Sequence, residues 1–558
     1  MWSYFQKYNS VSVNKILFIV SLFVVVVDNQ SLWMMLWGVV GENPLSHTFF
    51  FVSFLFFLIS TVMLLLSLLS FKRTIKLTAI TVLIVASIFA YFIDNMHVIF
   101  DVSMMQNLIE TDVREALELI NINLIFHVFI FGLLPSAVIL ALRIETQSNK
   151  LEIFSRIKIL SIMLLLTVLS IFWSSKEFTY VIRENRSIRY LVNPVYPIVS
   201  LIKYLKIDYN QNIVKKKIKP IFNDAIKYSN VSQKHKKNIV ILVVGETARS
   251  KNFSLNQYSR NTNPHLQQEK IINYSHASSC ATATAQSLPC MFSDLTHNTF
   301  TVSKAKQRQN LLDGLSIAGI DVLWRDNNSS CKGVCARVPS EDMRFLEVKD
   351  LCGDGECHDE ILLYKLDDYI NFVKRDAVIV LHQMGSHGPS YYKRYPKTFA
   401  KFTPECNVSA VHKCNKKEII NAYDNTILYT DYFLSKVIGY LKSKSENYNT
   451  AMIYMSDHGE SLGENGIYLH GLPYFMAPKE QTHIPFLIWL SDGIQRLGKI
   501  DVSCLHTNSD KPVSHDNFLH SVLGLMNIST QAYRKDKDVF SVCRSFNMVN
   551  NSPLLPSN

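Results

Sequence analysis

The sequence has no glycine-rich phosphate loop, no dinucleotide-binding fingerprint and no internal repeat. These absences exclude the common nucleotide-binding α/β classes and the repeat architectures. The N-terminus also has no small-residue cleavage pattern after its first apolar run, so a removable signal peptide is disfavoured. With the nucleotide-binding classes excluded, an enzyme that depends on a metal ion is the class that remains.

Cysteine is absent from the first half of the chain, and all ten cysteines lie between residues 280 and 543. This clustering is typical of a protein in an oxidising compartment, because the spacings do not form the matched knuckles of a zinc finger. Eight cysteines form close pairs in the sequence: Cys280 with Cys290, Cys331 with Cys335, Cys352 with Cys357, and Cys406 with Cys414. Cys504 and Cys543 remain as a fifth pair by elimination.

Long apolar runs are concentrated before residue 175, and five of them are long enough to span a bilayer, which takes about 20 residues. The predicted spans are 15–38, 49–69, 77–94, 124–143 and 157–174. Asp28 and Asn29 lie inside the first span, so its outer end is the least defined. We therefore expect a multi-pass α-helical membrane domain at residues 1–175.

Basic residues are scarce in alternate connections between these spans. None lies between the first and second spans and only Arg114 lies between the third and fourth, whereas Lys72 and Arg73 follow the second span and Lys150 follows the fourth. The positive-inside rule then places the N-terminus in the cytoplasm and, after five crossings, the chain beyond residue 175 outside.

A basic amphipathic bridge, residues 176–237, follows the last span and includes ten lysines between Lys203 and Lys237. A solvated linker explains part of this run, but a basic segment beside a membrane also binds anionic headgroups. The formal net charge of +11 therefore indicates an acidic lipid surface as partner, and we expect no nucleic-acid binding outside the cytoplasm.

Residues 238–558 alternate apolar strand-like runs with helical stretches, which is typical of a parallel α/β sandwich. The predicted strands are 238–245, 319–324, 377–381, 450–455 and 483–489, and helices are predicted near 306–317, 359–373 and 417–443. We expect this second half to be the catalytic domain.

The segment 279–290 offers hydroxyl nucleophiles in a loop of small residues that ends in a cysteine. A threonine hydroxyl is a poor nucleophile at neutral pH, so it needs a base or a metal ion that lowers its pKa. Thr282 and Thr284 are both candidates, and their spacing alone does not distinguish them.

Acidic and imidazole side chains follow two predicted strands, with Glu246 after one and Asp457 and His458 after the other. Open α/β sheets keep their sites at the carboxyl ends of strands, and zinc binds imidazole nitrogen and carboxylate oxygen. Further polar candidates in this half are Asn328, Ser329, Lys332, His382, His387, His470 and His483. A single histidine is more often structural, but the whole cluster indicates a metal site.

These motifs resemble, in their order along the chain, those of the lipid A phosphoethanolamine transferases, a family that includes the mobile colistin resistance enzymes. The resemblance depends on residues 244–249, 280–290, 326–332, 382–389 and 456–461, and it extends essentially end to end. It implies an alkaline-phosphatase-like (sulfatase-like) α/β domain in the periplasm, carried by a monomeric protein of the bacterial inner membrane.

The resemblance also implies a cofactor and a nucleophile. Zinc, as one ion or two, is expected on Glu246, Thr284, Asp457 and His458, and Thr284 is the expected nucleophile. Residues that match positions for substrate phosphate or a second zinc ion are Lys332, His387 and His470, with Asn328, Ser329, His382 and His483 as further candidates.

Between the third and fourth spans, Asn107, Thr111 and Glu115 match family positions that line the donor lipid site. Their four-residue spacing places all three on one face of a helix. An ordinary polar helix at the membrane interface explains the same pattern without the resemblance.

The implied function is zinc-dependent transfer of phosphoethanolamine from phosphatidylethanolamine to a lipid A phosphate of lipopolysaccharide, through a phosphoethanolamine-threonine intermediate. This reaction lowers the negative surface charge and gives resistance to polymyxins and other cationic peptides. The alternatives are transfer to the lipopolysaccharide core or another glycan, a membrane-anchored phosphatase of the same superfamily, and an inactive lipid-binding protein. A sulfatase is disfavoured because neither Cys280 nor Cys290 lies in a Cys-x-Pro-x-Arg setting.

Overall fold

A computed structural model describes residues 10–40, 44–70, 73–111, 113–145, 148–175, 178, 181, 185–212, 218–228, 236–353, 356–409 and 411–544. The chain forms two compact units. The first comprises Met1–Met105 and Ile120–Lys206, and the second comprises Gln106–Leu119 and Ile207–Asn558.

The first unit is helical. Its helices are Val13–Val27, Gln30–Val40, Pro44–Leu69, Ile75–Met96, Ile122–Val128, Leu134–Ala141 and Asn149–Trp173, and Val195–Asn212 begins in it. One π-helical turn, Phe129–Leu133, joins Ile122–Val128 to Leu134–Ala141, so these three elements form one apolar helix of 20 residues. A pair of two-residue strands, Ser10–Val11 and Arg143–Ile144, completes the unit.

Four helices of this unit are long and apolar enough to cross a membrane, namely Thr48–Leu69, Ile75–Met96, Ile122–Ala141 and Lys150–Trp173. Within the described residues, a fifth candidate is the pair Val13–Val27 and Gln30–Val39, which is bent by 60°. The sequence predicted this pair as one straight span. The bend occurs at Asp28 and Asn29, where the Asn29 amide donates to the carbonyl oxygen of Asn193 and accepts from the Asn193 N–H.

The second unit contains the main sheet, which has eight strands in the described part of the chain. In chain order these strands are β1 (Lys237–Gly245), β2 (Ile271–Ser278), β3 (Asp321–Asp326), β4 (Ser340–Asp342), β5 (Ala377–His382), β6 (Tyr448–Ser456), β7 (His483–Leu490) and β8 (Val513–Ser514). Their spatial order is β8-β2-β7-β6-β1-β5-β3-β4. Strand β7 is antiparallel to both of its neighbours, and the other pairings are parallel.

Helices cover both faces of this sheet, as they do in other parallel α/β domains. The α-helices of the unit are Val102–Glu110, Val113–Glu118, Thr284–Met291, Val302–Lys306, Leu311–Ile317, Leu366–Phe372, Lys416–Lys444, Lys479–Thr482, Asp492–Gly498, Val502–Thr507 and His515–Leu525. Three small two-stranded pairs add Ile226–Lys227 with Ile528–Ser529, Cys352–Gly353 with Glu356–Cys357, and Ser461–Glu464 with Ile467–Leu469.

Strand β1 is buried on both faces, which explains its continuous apolar sequence. Val240, Leu242 and Val244 contribute to the hydrophobic core on one side of the sheet, whereas residues 239, 241 and 243 contribute to the core on the other side. Successive side chains of a strand point to opposite faces, so each core receives every second residue. The sheet is thus held between two apolar layers, and its polar residues are concentrated at the strand ends.

All five predicted disulfides are present: Cys280–Cys290, Cys331–Cys335, Cys352–Cys357, Cys406–Cys414 and Cys504–Cys543. The five strands predicted from the sequence are confirmed to within a few residues, but the expectation that 483–489 runs parallel to the others is wrong. Strands β2, β4 and β8 were not predicted, because β2 mixes polar with apolar residues and the other two are only three and two residues long.

Candidate active site

Strands β1 and β6 pair in parallel and deliver Glu246 and Asp457 to the same edge of the sheet. Gly245 is in register with Ser456, so the residue after each strand lies beside its counterpart. The Asp457 N–H donates to the carbonyl oxygen of Gly245 over 2.9 Å. Both carboxylates are fully buried. The register therefore places the two strand ends, and the acidic residue that follows each, side by side.

Thr284 is the first residue of the helix Thr284–Met291, and the preceding Ala283 is extended. The disulfide between Cys280 and Cys290 joins the loop before this helix to its last turn. The loop is also fixed from outside, because the Cys280 N–H donates to Nδ1 of the buried His515. These contacts restrict the position of the Thr284 side chain before any ligand is present.

The Thr284 hydroxyl points into the group formed by Glu246, Asp457 and His458. Its Oγ1 lies 3.2 Å and 3.1 Å from the two Glu246 carboxylate oxygens and 3.3 Å from His458 Nε2. By contrast, the Thr282 hydroxyl donates to the carbonyl oxygen of Leu472. The structure therefore distinguishes the two threonines and directs only Thr284 toward the acidic group.

Three side chains of this group could hold a metal ion. His458 Nε2 lies 3.4 Å from Glu246 Oε1 and 3.3 Å from Asp457 Oδ2, and all the offered ligand atoms lie within 4.8 Å of one another. His458 Nδ1 is 2.9 Å from the Gly459 carbonyl oxygen, which can only accept, so Nδ1 carries the proton and the lone pair of Nε2 faces the carboxylates.

The electrostatics of the group favour a bound cation. Burial lowers the pKa of His458 well below its usual value, with a smaller contribution from His470, so the imidazole is neutral. Burial also raises the pKa of Asp457. Carboxylates and a neutral imidazole that share one buried space repel each other's lone pairs, and a divalent ion removes this repulsion. The donor set of two carboxylates, one imidazole and one hydroxyl fits zinc.

Asn328 and Gly385 hold Glu246 in this position. The Asn328 amide donates to Glu246 Oε2 over 2.8 Å and to the carbonyl oxygen of Gln383 over 2.9 Å. Gly385 has a φ of 55°, and a Cβ there would lie 2.7 Å from the carbonyl oxygen of Glu246. Only glycine permits this close approach without strain. Asn328, a candidate for binding substrate or a second zinc ion, thus contacts the candidate metal ligand Glu246 itself.

His387 and His470 lie beside the candidate metal group. The His470 ring centroid is 4.4 Å from that of His458 and 5.4 Å from that of His387. His470 Nδ1 is 2.8 Å from Glu460 Oε2, and the Tyr391 hydroxyl donates to the other Glu460 oxygen over 2.6 Å. Burial, followed by the neighbouring His470, lowers the pKa of His387 well below its usual value.

Glu460 is a site residue that the sequence reasoning did not single out. It is fully buried and orients one imidazole of the cluster. The available signal was its position two residues after His458, at the same strand end. A buried acidic residue at such a position either binds a ligand or orients one.

Lys332 and Ser329 occupy the loop after β3. The Lys332 ammonium group donates to the Ser329 hydroxyl over 3.0 Å and is itself largely buried. Lys332 has a φ of 47° and lies within the short loop that the Cys331–Cys335 disulfide closes. The loop therefore places the positive charge of Lys332 close to the end of β3, where Asn328 also lies.

Two predicted histidines form hydrogen bonds with residues that are not in the candidate metal group. His382 is fully buried, and its Nδ1 lies 3.2 Å from Asp326 Oδ2. His483 begins β7, and its Nε2 contacts the carbonyl oxygen of Ser275 over 2.7 Å. Both residues therefore make contacts that stabilise the sheet.

Residues 106–119, here called the interfacial segment, group with the second unit. The sequence predicted one helix, but the structure has two, Val102–Glu110 and Val113–Glu118. Asn107 lies in the first helix, and the Thr111 hydroxyl donates to the Asn107 carbonyl oxygen. The side chain of Glu115 lies outside the described residues.

The fold and the site define an enzyme of the sulfatase fold class with a candidate metal site and an apolar helical domain. Residues 238–528 match the family model described as Sulfatase, and residues 58–209 match the one described as Phosphoethanolamine transferase EptA/EptB. The two matches cover different halves of the chain. The chain thus combines a sulfatase-like domain with an N-terminal region like that of the EptA/EptB phosphoethanolamine transferases.

Relatives match nearly the whole chain. Phosphoethanolamine transferase EptA of Salmonella typhimurium is 38% identical over 90% of this chain and 92% of its own length, and phosphatidylethanolamine transferase Mcr-1 of Escherichia coli is 36% identical over 84% and 87%. The structure of the integral membrane protein EptA from Neisseria meningitidis has a TM-score of 0.90 at 33% identity and covers 95% of this chain and 98% of its own. The chain therefore belongs to the phosphoethanolamine transferase family and is a transferase of the membrane.

Proposed function

We propose that this enzyme transfers phosphoethanolamine from phosphatidylethanolamine to a lipid A phosphate, with zinc as cofactor and Thr284 as nucleophile. The observation that carries the proposal is the distance of 3.1–3.3 Å from the Thr284 hydroxyl to Glu246 and His458. Zinc held by Glu246, Thr284, Asp457 and His458 would lower the pKa of that hydroxyl, which makes it a competent nucleophile at neutral pH.

In the first half-reaction, the Thr284 oxygen attacks the phosphorus of phosphatidylethanolamine. A new P–O bond forms to Thr284, and the P–O bond to the glycerol carbon chain breaks. Diacylglycerol leaves as an alcohol and takes up the proton that Thr284 has lost. The position of Thr284 at a helix N-terminus favours negative charge on its oxygen during the attack. The enzyme then carries phosphoethanolamine on Thr284.

In the second half-reaction, an oxygen of the acceptor phosphate attacks the same phosphorus. The P–O bond to Thr284 breaks, Thr284 regains a proton from the acceptor, and a diphosphate linkage forms. Two anionic phosphates must approach each other, so the charge of Lys332 and the N–H groups of His387 and His470 favour this step. The clustering of His387 and His470 beside His458 supports that role for the two histidines.

The membrane placement follows from the two lipid substrates. We infer that the apolar helices lie in the bacterial inner membrane, with the catalytic unit in the periplasm, because five disulfides need an oxidising compartment. Asn107, Thr111 and Glu115 bind the donor lipid. Adding a cationic ethanolamine group lowers the negative surface charge, so polymyxins and other cationic peptides bind less well.

Mass spectrometry of lipid A tests the proposal. A strain that expresses the wild-type enzyme should gain one phosphoethanolamine mass on lipid A, and Thr284→Ala should abolish this gain. Thr282→Ala is the matched control and should retain most of it. If core sugars gain phosphoethanolamine while lipid A stays unmodified, the acceptor is the lipopolysaccharide core and not lipid A. If a lipid phosphate is lost and no new adduct forms, the enzyme is a phosphatase.

A further inference from the structure

The interfacial segment is tied to the catalytic unit at both of its ends. At one end, Glu110 forms an ion pair of 3.3 Å with Lys306, and its carbonyl oxygen accepts from Lys332 over 3.4 Å. At the other end, Glu118 contacts Lys393 over 3.1 Å and Arg394 over 2.7 Å. All these residues belong to the second unit.

The two ends differ in burial. The Glu110 and Lys306 side chains are 23% and 35% exposed, so their ion pair is screened by solvent and contributes little. The Glu118 and Arg394 side chains are only 6% and 1% exposed. Removing one partner of a buried pair leaves an uncompensated charge away from water, which is strongly unfavourable. Glu118 and Arg394 therefore dominate the attachment of the segment.

Arg394 also reaches the active site. Its guanidinium group donates through Nε to the carbonyl oxygen of His387 over 2.8 Å, through Nη1 to Glu356, and through Nη2 to Glu118. A planar guanidinium group can serve several acceptors in fixed directions, which a lysine ammonium group cannot do. The buried Arg394 side chain thus connects Glu118 of the interfacial segment to the backbone of His387.

The segment carries an apolar edge as well. Leu108, Val113 and Leu117 are 50%, 73% and 59% exposed. In the sequence, the segment lies between the apolar helices Ile75–Met96 and Ile122–Ala141, so these side chains are available to lipid chains. A segment with an apolar edge and a buried ionic attachment is suited to hold a lipid headgroup at a fixed place.

We propose that Glu118 and Arg394 are positioning residues for the donor lipid. Their ion pair holds the interfacial segment in register with His387, so that a phosphatidylethanolamine bound by the segment presents its phosphorus to Thr284. This role rests on the proposed function. Neither residue contacts the reacting atoms in this scheme. The ion pair acts on the donor half-reaction, because only that step uses the lipid that the segment binds.

The test uses the full-length enzyme in mixed micelles and separates the two half-reactions. Glu118→Gln keeps the side-chain volume and removes the negative charge. Arg394→Lys keeps the positive charge but replaces the planar guanidinium group by an ammonium group, which cannot serve the same three acceptors. Each should raise the KM for phosphatidylethanolamine in formation of the threonine adduct by about tenfold. In Glu118→Gln, which leaves the Arg394 bond to His387 in place, discharge of a preformed adduct by lipid A should stay within about twofold of the wild-type rate, as should both steps in the control Glu110→Gln.

Hydrogen exchange provides a readout that does not depend on turnover. Amides of residues 106–119 should exchange faster in Glu118→Gln than in the wild type, because the buried attachment is lost. Unchanged exchange would overturn the attachment, and equal slowing of both half-reactions would show a merely structural role. Wild-type enzyme that forms no adduct from phosphatidylethanolamine would instead overturn the proposed function, whatever the exchange shows.

Discussion

Asn328 provides a test of how the site is built, because it touches a candidate metal ligand without being one. It is 1% exposed and donates to Glu246 Oε2 and to the carbonyl oxygen of Gln383. Asn328→Ala removes these two hydrogen bonds, together with the one that its side-chain oxygen accepts from the Ser329 N–H, and it weakens the orientation of the Glu246 carboxylate. The variant keeps Thr284, Asp457 and the rest of the donor set.

The magnitude follows from the kind of bond that is lost. A hydrogen bond to a charged group contributes about 1.5–3 kcal/mol, and the bond to the Gln383 carbonyl adds about 1 kcal/mol to the stability of the fold. Outer partners of metal ligands typically change metal affinity by about 10- to 100-fold. We therefore expect Asn328→Ala to weaken zinc binding by that factor and to recover most of its turnover when zinc is raised.

The assay is a competition for zinc between the purified enzyme and a chelator of known affinity. Asn425→Ala is the matched control, because Asn425 is also fully buried and accepts from the N–H groups of Lys401 and Phe402, which are not residues of the candidate site. Its stability should fall while its zinc affinity stays at the wild-type value. The reasoning is refuted if both variants lose stability equally and Asn328→Ala binds zinc as tightly as the wild type.

Three further predictions concern topology, disulfides and pH. A reporter that is active only outside the cytoplasm should work when fused after residue 176 and fail within 144–156, and the reverse pattern would overturn the orientation. Replacing Cys504 and Cys543 by serine should lower the free energy of unfolding by about 4 kcal/mol, because this disulfide closes the longer loop. Replacing Cys331 and Cys335, which are only four residues apart, should lower it by about 2 kcal/mol. Equal losses in chemical denaturation would contradict this dependence on loop length. Burial, followed by the charge of Arg534, lowers the pKa of His520 to about 4, so the unfolded chain binds a proton near pH 6.5 that the folded chain does not. The stability that depends on a neutral His520 is therefore present above pH 6.5 and is lost as the pH falls toward 4. Between pH 7 and pH 5 the free energy of unfolding should fall by about 2 kcal/mol less in His520→Gln than in the wild type. Chemical denaturation of both proteins at the two pH values measures this difference.

The sequence was sufficient to predict the centre of the site. Continuous apolar runs that stop at Glu246 and at Asp457 indicate buried parallel strands, and parallel strands bring their carboxyl ends to one edge. The cysteine spacings likewise predicted four of the disulfides, and elimination left Cys504 and Cys543 as the fifth pair. These are local signals, so no knowledge of distant contacts was needed.

Other features depend on contacts between distant parts of the chain, which a single sequence does not show. The hydrogen bond that directs Thr282 away from the candidate metal group reaches Leu472, 190 residues away, so spacing did not separate Thr282 from Thr284 and only the family resemblance indicated Thr284. The pairing of Glu118 with Arg394 joins residues separated by 276 positions. The antiparallel direction of β7 is equally invisible, because a strand buried on both faces has the same apolar pattern in either direction.

The covalent step on Thr284 is the central claim, and mass spectrometry of the intact enzyme and of its proteolytic peptides tests it directly. Wild-type enzyme incubated with phosphatidylethanolamine and no acceptor should gain one phosphoethanolamine mass on the peptide that contains residues 280–290. Glu246→Ala should abolish this adduct because it removes a proposed ligand of the zinc ion that, in the proposed mechanism, activates the hydroxyl. If Thr284→Ala still modifies lipid A at a substantial rate, the covalent mechanism is wrong and the two lipids react by direct in-line transfer.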